Sequence, residues 1–433
     1  MIKKVILFLG LVLVVSIIAG YILIKGRVGS DLDNAASGGN AQSIGTINQK
    51  TEISKNKTIE SDEKKDPIKE QMKTMTLDEK IGQMVIVGVD GYINDENSMN
   101  LIKQHYVGGV ILFQKNIQNS IQALSLINSL KNSNSINKIP LFLSVDEEGG
   151  RVSRMPAEFT KIPTNQRLGQ INNSTLSFKI GSGLAEEIKS FGFNMDFAPV
   201  LDINSNPKNP VIGDRSFGSN AGVVSKLGVQ TMKGIQSQNV IPVVKHFPGH
   251  GDTSVDSHVG LPTVNNDLQR LKEFELLPFA EAIRNKADVV MVAHILLPKI
   301  DPEFPASFSK TIITGLLRGE LGFQGVVVTD DMTMGAISKN YDIGDASVKS
   351  INAGSDIILV CHFYDKELAV IQALKKAVEV GVITRERMDE SVYRILTLKS
   401  KYALTDKTIE SIHVKNINSK LNSILAPYVK HYR

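Results

Sequence analysis

From about residue 67 onward the chain alternates between short apolar runs and longer stretches of mixed polarity. Eight of the short runs are rich in β-branched residues and are apolar on both faces, which is typical of parallel strands covered on both sides. These predicted strands occupy residues 82–89, 107–113, 139–146, 193–203, 240–246, 287–294, 325–331 and 355–361.

The stretches between the predicted strands have the apolar spacing of helices, for example at residues 120–133, 176–192 and 269–284. Strands alternating with helices predict an α/β protein, and eight such units predict a single (β/α)8 TIM-type barrel over residues 67–403. A doubly wound open sheet is the alternative, because a hydrophobic pattern does not show whether the sheet closes.

The N-terminal segment has a different pattern. Residues 5–24 carry no charge, and a helix of that length, at about 1.5 Å per residue, would cross a bilayer core of roughly 30 Å. A cleaved signal peptide normally has a shorter apolar region and a small-x-small cleavage site. We therefore predict an uncleaved signal anchor, a transmembrane helix within residues 1–27, with Lys3 and Lys4 favouring an inside N-terminus.

The segments that flank the predicted barrel differ from it in composition or length. Residues 28–66 contain few large apolar residues and many Ser, Asn, Gly and Lys, so we expect a flexible, disordered tether. We expect residues 404–433 to form a C-terminal extension and not a second domain. The expected location is the cell membrane, single-pass, with the folded domain extracellular, or secreted if the anchor is cleaved.

Composition and charge exclude some classes of protein. The formal net charge is +4, and no basic helix or run of aromatics interleaved with arginine indicates a nucleic-acid surface. The single cysteine, Cys361, excludes an intramolecular disulfide framework and a cysteine-based metal cluster. At the end of the eighth predicted strand, Cys361 is interpreted as a small buried residue.

Polar residues occupy the C-terminal ends of four of the predicted strands, the face on which barrel enzymes carry their active sites. They are Asp146, Lys245 with His246, His294, and Thr329 with Asp330 and Asp331. Asp and Thr could instead be helix N-caps. Because lysine and histidine are among the set, a shared site explains it better.

The segment KHFPGHGDTSVDSH, residues 245–258, contains three of the eight histidines. A metal cage, an acid/base site and a polar loop without chemistry are all compatible with this composition. His246 and His250 are four residues apart, as in some zinc sites, but Pro248, Gly249 and Gly251 exclude a regular helix between them.

The pair Asp256 and His258 favours acid/base chemistry. A carboxylate two residues before an imidazole can bind one ring nitrogen, fix the tautomer and leave the other nitrogen to face a substrate. Such a pair is half of a hydrolase triad, but the chain has no G-x-S-x-G serine elbow. A carboxylate from another strand end is then the expected nucleophile, and Asp330 is the best placed.

Several segments together resemble glycoside hydrolase family 3, specifically its β-N-acetylhexosaminidase (NagZ-type) branch, over about residues 70–400. They are DEEGGRVSR (146–154), APVLDI (198–203), IGDRSF (212–217), KHFPGHGDTSVDSH (245–258), PAS (305–307) and GVVVTDDMTMGAI (325–337).

The resemblance implies a retaining β-N-acetylhexosaminidase that removes terminal N-acetylglucosamine from peptidoglycan-type or related glycans through a covalent glycosyl-aspartate. Asp330 would be the nucleophile and His258 the general acid/base, with Asp256 as its dyad partner. The implied sugar-binding residues are Asp146, Arg154, Arg215, Lys245 and His246. No metal or other cofactor is implied. The expected partners are the N-acetylglucosamine-containing glycan and the membrane, through the N-terminal helix, but no nucleic acid.

The remaining polar residues of these segments are expected to be structural. Asp331 is interpreted as a cap of the helix after the seventh strand, and Glu148 as a support of the Gly149–Arg151 turn. His250 and Asp252 are expected to hold the loop together. His294 has two open roles, a substrate contact or a hydrogen-bonded place in the core.

Three alternative functions stay open at this point. One is a β-glucosidase of the same family. Another is a catalytically silent protein that binds wall glycans. The third is a metal-dependent hydrolase built on the same histidine loop.

Overall fold

The structure, a computed structural model, describes residues 65–431. Its eight parallel strands pair in chain order, and the first also pairs with the last, Val85 with Ile358, so the sheet is a closed barrel. This confirms the predicted barrel and excludes the open sheet. The strands are β1 Val85–Val87, β2 Gly109–Leu112, β3 Phe142–Val145, β4 Met195–Asp196, β5 Ile241–Phe247, β6 Val289–Val292, β7 Val326–Asp331 and β8 Ile357–Val360.

The fourth strand is much shorter than the run predicted at residues 193–203. Regular pairing ends after Asp196, and beyond it Val200 forms a single bridge to Lys245. Pro199 has no N–H to donate to a ladder, which disfavours regular strand pairing at this position. The chain after β4 therefore runs over the carboxyl end of the barrel, where its side chains reach the pocket.

Helices cover the outside of the barrel. They are α1 Pro67–Lys73, α2 Leu77–Gln83, α3 Glu96–Lys103, α4 Ser120–Ser133, α5 Asn165–Ile171, α6 Ser174–Phe191, α7 Ala221–Ser237, α8 Leu268–Arg270, α9 Leu277–Arg284, α10 Gly335–Ser338, α11 Ile343–Ala353, α12 Tyr364–Glu379, α13 Arg385–Lys401 and α14 Val414–Leu425. Five short 3₁₀ segments lie at Gln114–Asn116, Asn134–Ile136, Gly213–Arg215, Ala306–Phe308 and Ala426–His431, and two π-helical segments lie at Leu271–Glu275 and Thr311–Glu320.

The three helices that the sequence analysis gave as examples are present, but one of them is interrupted. The prediction at 120–133 coincides with α4, and that at 176–192 corresponds to α6, which ends at Phe191 and is capped by Gly192 with φ +100°. The prediction at 269–284 is divided into α8, a π-helical segment and α9. Pro278, at the start of α9, cannot donate the N–H that a continuous helix needs there.

A buried lysine fills the amino-terminal end of the barrel. Lys399 of α13 donates from Nζ to Gln83 Oε1, Gly108 O and Pro140 O, each at 2.7 Å. The two carbonyl oxygens lie just before β2 and β3, and the ammonium also lies 4.4 Å from the centroid of the Phe142 ring. Burial lowers the pKa of Lys399 to about 7, and the three acceptors use all the hydrogen bonds that its amino group can donate. The pocket described below opens at the opposite end, at the carboxyl ends of the strands.

The predicted anchor at residues 1–27, and the tether as far as residue 64, lie outside the described residues. Within residues 65–431, no helix has the length and apolarity required to cross a membrane. The chain after residue 403 packs against the barrel helices: Ile417, Leu421 and Leu425 of α14 are buried. Asn128 of α4 also binds the backbone carbonyl of Ile409.

Candidate active site

The carboxyl ends of the strands surround a pocket with a cavity volume of about 280 Å³. The pocket brings together every site residue predicted from the sequence, although these residues come from four separate segments of the chain. The predicted residues that line it are Asp146, Arg154, Arg215, Lys245, His246, Asp256, His258 and Asp330.

Irregular strand pairing lets neighbouring residues face the same pocket. Successive side chains of a regular strand point to opposite faces, yet Lys245 and His246 both line the cavity. The pairing of β5 with β6 shifts register between Val244 and Phe247, and a bulge of this kind redirects side chains. A similar shift in β7 before Asp331 accompanies the shared placement of Asp330 and Asp331.

A network of opposite charges forms the floor of the pocket. Lys245 Nζ lies 2.6 Å from Asp146 Oδ1 and 2.7 Å from Glu148 Oε1. Arg215 binds the Glu148 carboxylate in bidentate fashion, with distances of 2.9 Å from Nε and 2.7 Å from Nη2. Arg154 Nη2 approaches Asp146 Oδ2 at 3.9 Å. Buried charges require such pairing, because an isolated one would be too costly to desolvate.

Glu148 differs from its predicted role. Its side chain contacts the two cations rather than the Gly149–Arg151 turn, and it lies beneath the pocket lining. Burial alone would raise its pKa, but Arg215 and Lys245 outweigh burial and hold the pKa of Glu148 well below the usual range. The prediction was wrong about the partner, because nothing in the local sequence shows which distant cations reach a carboxylate.

Asp202 is a site residue that sequence reasoning missed. It is fully buried, and its Oδ2 accepts a hydrogen bond from His246 Nδ1 at 2.6 Å. Its Oδ1 accepts from the backbone N–H groups of His246, at 3.3 Å, and of His250, at 2.6 Å. His246 Nε2 faces Arg215 Nη2 at 3.3 Å, and arginine can only donate. The contacts therefore assign the proton to Nδ1, and the place of Asp202 in APVLDI was the available signal.

Asp330 presents its carboxylate to the pocket from the end of β7. Burial would raise its pKa, but the nearby His246 and His294 rings and the backbone N–H of Asp331 outweigh it. The pKa of Asp330 therefore lies below its usual value. The group is an anion at neutral pH, as a carboxylate nucleophile requires.

Asp331 does not cap the helix after β7 as predicted. Its Oδ1 accepts from Thr333 N at 2.9 Å and from Cys361 N at 3.0 Å. Helix α10 begins only after Met334, without a side-chain cap. Asp331 therefore joins the end of β7 to the end of β8, because the closed sheet places these ends side by side. Cys361 is buried, as expected.

The dyad partners Asp256 and His258 make the predicted contact. Asp256 Oδ1 accepts from both the backbone N–H and Nδ1 of His258, each at 2.8 Å. Burial would raise the pKa of Asp256, but these two hydrogen bonds lower it. The His258 side chain is 66% exposed at the mouth of the pocket. Its Nδ1 is held as a donor, so Nε2 is the ring atom available to a substrate.

The base of the histidine loop is closely packed. His250 is buried, with Nδ1 2.8 Å from Thr253 Oγ1 and Nε2 3.1 Å from Ser257 Oγ. Burial lowers the pKa of His250 to about 4, so its ring is neutral. A side chain at Gly251 would meet the Ile203 carbonyl oxygen at 1.7 Å, which leaves room only for glycine. The contacts of His250 agree with its predicted structural role.

Two further residues can be placed. Asp252 Oδ2 accepts from Asn266 Nδ2 at 3.1 Å, within the loop region as expected. His294 is fully buried, with Nδ1 2.7 Å from Ser307 Oγ and Nε2 3.1 Å from the Asp331 carbonyl oxygen. Of the two roles left open for His294, the structure shows the hydrogen-bonded place in the core.

Three buried carboxyl groups lie behind the floor. Burial raises the pKa of Glu147 to about 7 and that of Glu187 to about 9, and it raises the pKa of Asp196 well above its usual value. Mutual repulsion among the three adds to the effect of burial at Glu187. Glu147 Oε2 accepts from the backbone N–H of Arg154 at 2.7 Å, so the cluster supports a pocket residue from behind.

Within residues 65–431, no group of three or more histidine, cysteine, aspartate or glutamate side chains is arranged to hold a metal ion. The ring nitrogens of His246 and His250 instead face Asp202, Arg215, Thr253 and Ser257.

Comparisons with known proteins agree on one family. The family described as "Glycosyl hydrolase family 3 N terminal domain" matches residues 76–398. "Beta-hexosaminidase A" of Pseudoalteromonas piscicida is 39% identical over 325 residues, which cover 70% of this chain and 54% of that protein. This chain thus spans about half the length of that relative. "Beta-hexosaminidase" of Methylobacillus flagellatus is 32% identical over 307 residues, 70% of this chain and 86% of that protein.

A solved structure gives the same result. The glycoside hydrolase family 3 beta-N-acetylglucosaminidase from Paenibacillus sp. superposes with a TM-score of 0.77 at 42% identity. The match covers 81% of this chain and 68% of that one.

Replacing Asp202 by Asn should allow His246 to adopt the other tautomer, with its proton on Nε2. The amide cannot accept from His246 Nδ1 and also from both backbone N–H groups without turning a donor toward a donor, so a buried group loses its partner. We expect the free energy of unfolding to fall by about 1–3 kcal/mol. Ring ¹⁵N chemical shifts of His246 should show a new Nε2–H population. Asp252→Asn is the matched control, and an unchanged tautomer in Asp202→Asn would contradict the assignment.

Replacing Glu187 by Gln should flatten the decline of stability at rising pH. Its raised pKa keeps the proton on folded Glu187 up to about pH 9, whereas the unfolded group, with an ordinary pKa of about 4.5, loses it at much lower pH. Between these values each pH unit lowers the free energy of unfolding by up to about 1.4 kcal/mol, and below the unfolded pKa this loss is absent.

Urea unfolding at several pH values between about 5 and 9 measures this slope. Glu390→Gln is the matched control, because Glu390 is exposed and pairs with Arg387 at 3.3 Å, away from the buried carboxyl groups behind the floor. Equal slopes in the wild type and Glu187→Gln would show that Glu187 is ionised in the folded protein.

Proposed function

The chain belongs to glycosyl hydrolase family 3, and from that premise we propose that it is a retaining β-N-acetylhexosaminidase acting on terminal N-acetylglucosamine. One observation carries the proposal: an anionic carboxylate, Asp330, and an imidazole oriented by a second carboxylate, the Asp256–His258 pair, line one pocket. The names of the relatives support the choice of sugar.

The proposed first step forms a covalent intermediate. A carboxylate oxygen of Asp330 attacks the anomeric carbon, and the bond from that carbon to the leaving oxygen breaks. His258 Nε2 gives its proton to the departing oxygen, while Asp256 stabilises the imidazolium before transfer. Most glycosidases use two carboxyl groups instead. After this step Asp330 is a neutral ester and the imidazole is also neutral, whereas the acid of a two-carboxyl enzyme is left as an anion.

The second step releases the sugar. His258 Nε2, now unprotonated, takes a proton from water, and the water oxygen attacks the anomeric carbon on the face that the leaving group occupied. The bond to Asp330 breaks and the carboxylate is regenerated. Two inversions at one carbon retain the β configuration.

The floor provides groups suited to sugar hydroxyls. Asp146 can accept from two adjacent hydroxyl groups, and Lys245, bound to Asp146, can donate its third N–H. Arg154 Nε is buried and has no hydrogen-bond partner among the described residues. Leaving a buried donor unpaired costs about 1–3 kcal/mol, so a ligand oxygen at this position would be stabilised. Arg215 and His246 complete this side of the pocket.

The finer choice of substrate is a peptidoglycan-type or related glycan with a terminal N-acetylglucosamine. A β-glucosidase is the alternative within the family, and comparing turnover of a glucoside with that of an N-acetylglucosaminide decides between them. A silent glycan-binding protein would bind the N-acetylglucosaminide without cleaving it.

We further propose that the enzyme is anchored in the membrane and faces outward, on the basis of the charge-free run at residues 5–24. A tag at the C-terminus should then be accessible to protease added to intact cells expressing the full chain. A chain with residues 1–27 removed is the control and should stay inside. A tag on the full chain that becomes accessible only after lysis would contradict the proposal.

Replacing His258 by Ala should trap the glycosyl-enzyme when the leaving group is activated. A nitrophenolate departs with little need for protonation, but water attacks slowly without a base. Hydrolysis should fall by about 10²–10⁴-fold, and intact-protein mass spectrometry should show the sugar on Asp330. Asp256→Ala should show a weaker form of the same pattern. Azide, a nucleophile that needs no base, should restore turnover and yield a β-glycosyl azide.

Two variants serve as controls for this experiment. Asp330→Ala should form no adduct and gain nothing from azide, because no covalent intermediate can form. His413→Ala, outside the pocket lining, should behave as wild type. An α-configured azide, or wild-type turnover by His258→Ala, would rule out the assignment.

A further inference from the structure

A row of three rings leads from the pocket to the surface at the end of β8. Phe113 and His362 both line the pocket, with ring centroids 5.1 Å apart. The His362 ring is in turn 6.3 Å from that of Phe363, at an interplanar angle of 69°. Phe363 is 57% exposed. The row therefore extends the cavity wall outward by one exposed aromatic face.

The position of Phe363 is unfavourable in two respects. Its ring is largely in water, and its φ of +71° is a conformation that bulky residues rarely adopt. Such backbone strain costs of the order of 1–3 kcal/mol and clusters at ligand-binding sites. Its carbonyl oxygen accepts from Lys366 N and Glu367 N at the start of α12, so the helix fixes this conformation. The ammonium of Lys366 lies over the Phe363 ring, 4.7 Å from its centroid, and most of the ring remains in water.

Polar groups accompany the row. Lys115 Nζ lies 3.2 Å from His362 Nδ1 and 3.7 Å from Asp90 Oδ1, and both Lys115 and Asp90 are substantially exposed. Lysine can only donate, so His362 Nδ1 accepts and Nε2 carries the proton. A flat apolar ring bordered by exposed donors and acceptors matches a pyranose, whose C–H face is apolar and whose edge carries hydroxyl groups.

The row lies on the side of the pocket where the acid/base acts. His258 and His362 both line the pocket, and the His258 carbonyl oxygen accepts a hydrogen bond from Gly335 N, shortly after β7. His362 Nε2 is also 4.0 Å from Asp331 Oδ2, next to Asp330 in sequence. The leaving oxygen must reach His258, so the departing part of the substrate passes the row of rings.

We propose that His362 and Phe363 form the binding site for the leaving-group sugar, with its pyranose ring stacked on the exposed face of Phe363. This inference rests on the proposed glycosidase function, since it assigns a second sugar to the same reaction. The pocket would hold the terminal sugar, and His362 and Phe363 would select substrates whose next unit is also a sugar.

The test separates the two sugar positions with full-length protein. kcat/KM for di-N-acetylchitobiose depends on both positions, whereas competitive inhibition by free N-acetylglucosamine depends on the pocket. Phe363→Gly removes the ring and relieves the positive φ. It should lower kcat/KM for the disaccharide by about threefold to tenfold, the equivalent of one aromatic contact, and leave the inhibition constant unchanged.

Two further variants complete the design. Phe363→Tyr keeps the ring and should retain wild-type kcat/KM for the disaccharide. Val380→Ala shortens another exposed apolar side chain, outside the pocket lining, and should change neither constant.

Three outcomes would overturn the proposal. If Phe363→Gly cleaves the disaccharide as well as wild type does, the ring binds no leaving group while the glycosidase function stands. If the inhibition constant changes as much as kcat/KM, the residue supports the pocket instead. If wild-type protein cleaves neither the disaccharide nor an aryl N-acetylglucosaminide, the proposed function fails, and this site fails with it.

Discussion

The Glu148 carboxylate, buried between Lys245 and Arg215, is the constraint on which the rest of the site depends. A charge removed from water must be matched closely by opposite charge. Each of the two cations that bind Glu148 also contacts a further residue of the site. Lys245 reaches Asp146, and Arg215 reaches His246, which is held by Asp202. The donors and acceptors of the floor therefore keep one arrangement before any sugar arrives, and preorganisation of this kind lowers the cost of binding.

The floor and the acid/base loop differ in burial, but Asp202 contacts both of them. Lys245 is nearly inaccessible, whereas His258 is 66% exposed. A group that delivers a proton to a leaving oxygen and then takes one from water must be reachable from solvent. Asp202 joins the two parts, because the same carboxylate binds the His246 ring and the backbone N–H of His250 at the base of the loop. The base of the loop is therefore fixed by Asp202, although its other end, with His258, is exposed.

Tertiary packing also explains the two structural roles that differ from expectation. Glu148 follows β3 and Asp331 is the last residue of β7, and from the sequence each resembles a residue that holds a local turn or caps a helix. In the closed sheet, both carboxylates instead bind groups from elsewhere in the barrel, Glu148 the cations of two other segments and Asp331 the end of β8. Buried carboxylates accept from the nearest strong donors, and the barrel, not the local sequence, decides which donors those are.

Much of this protein can be read from the sequence alone. The eight apolar runs and the stretches between them predict the barrel units, because a parallel strand that is buried on both faces is a nearly continuous run of apolar residues. The spacing of Asp256 and His258 predicts their contact, since two residues on one loop are close in any conformation. Closure of the sheet, by contrast, depends on pairing between the first and last strands. Glu148 with Arg215, and Asp202 with His246, are 67 and 44 positions apart. No local pattern encodes such contacts, because burial and charge pairing are properties of the space that the folded chain encloses.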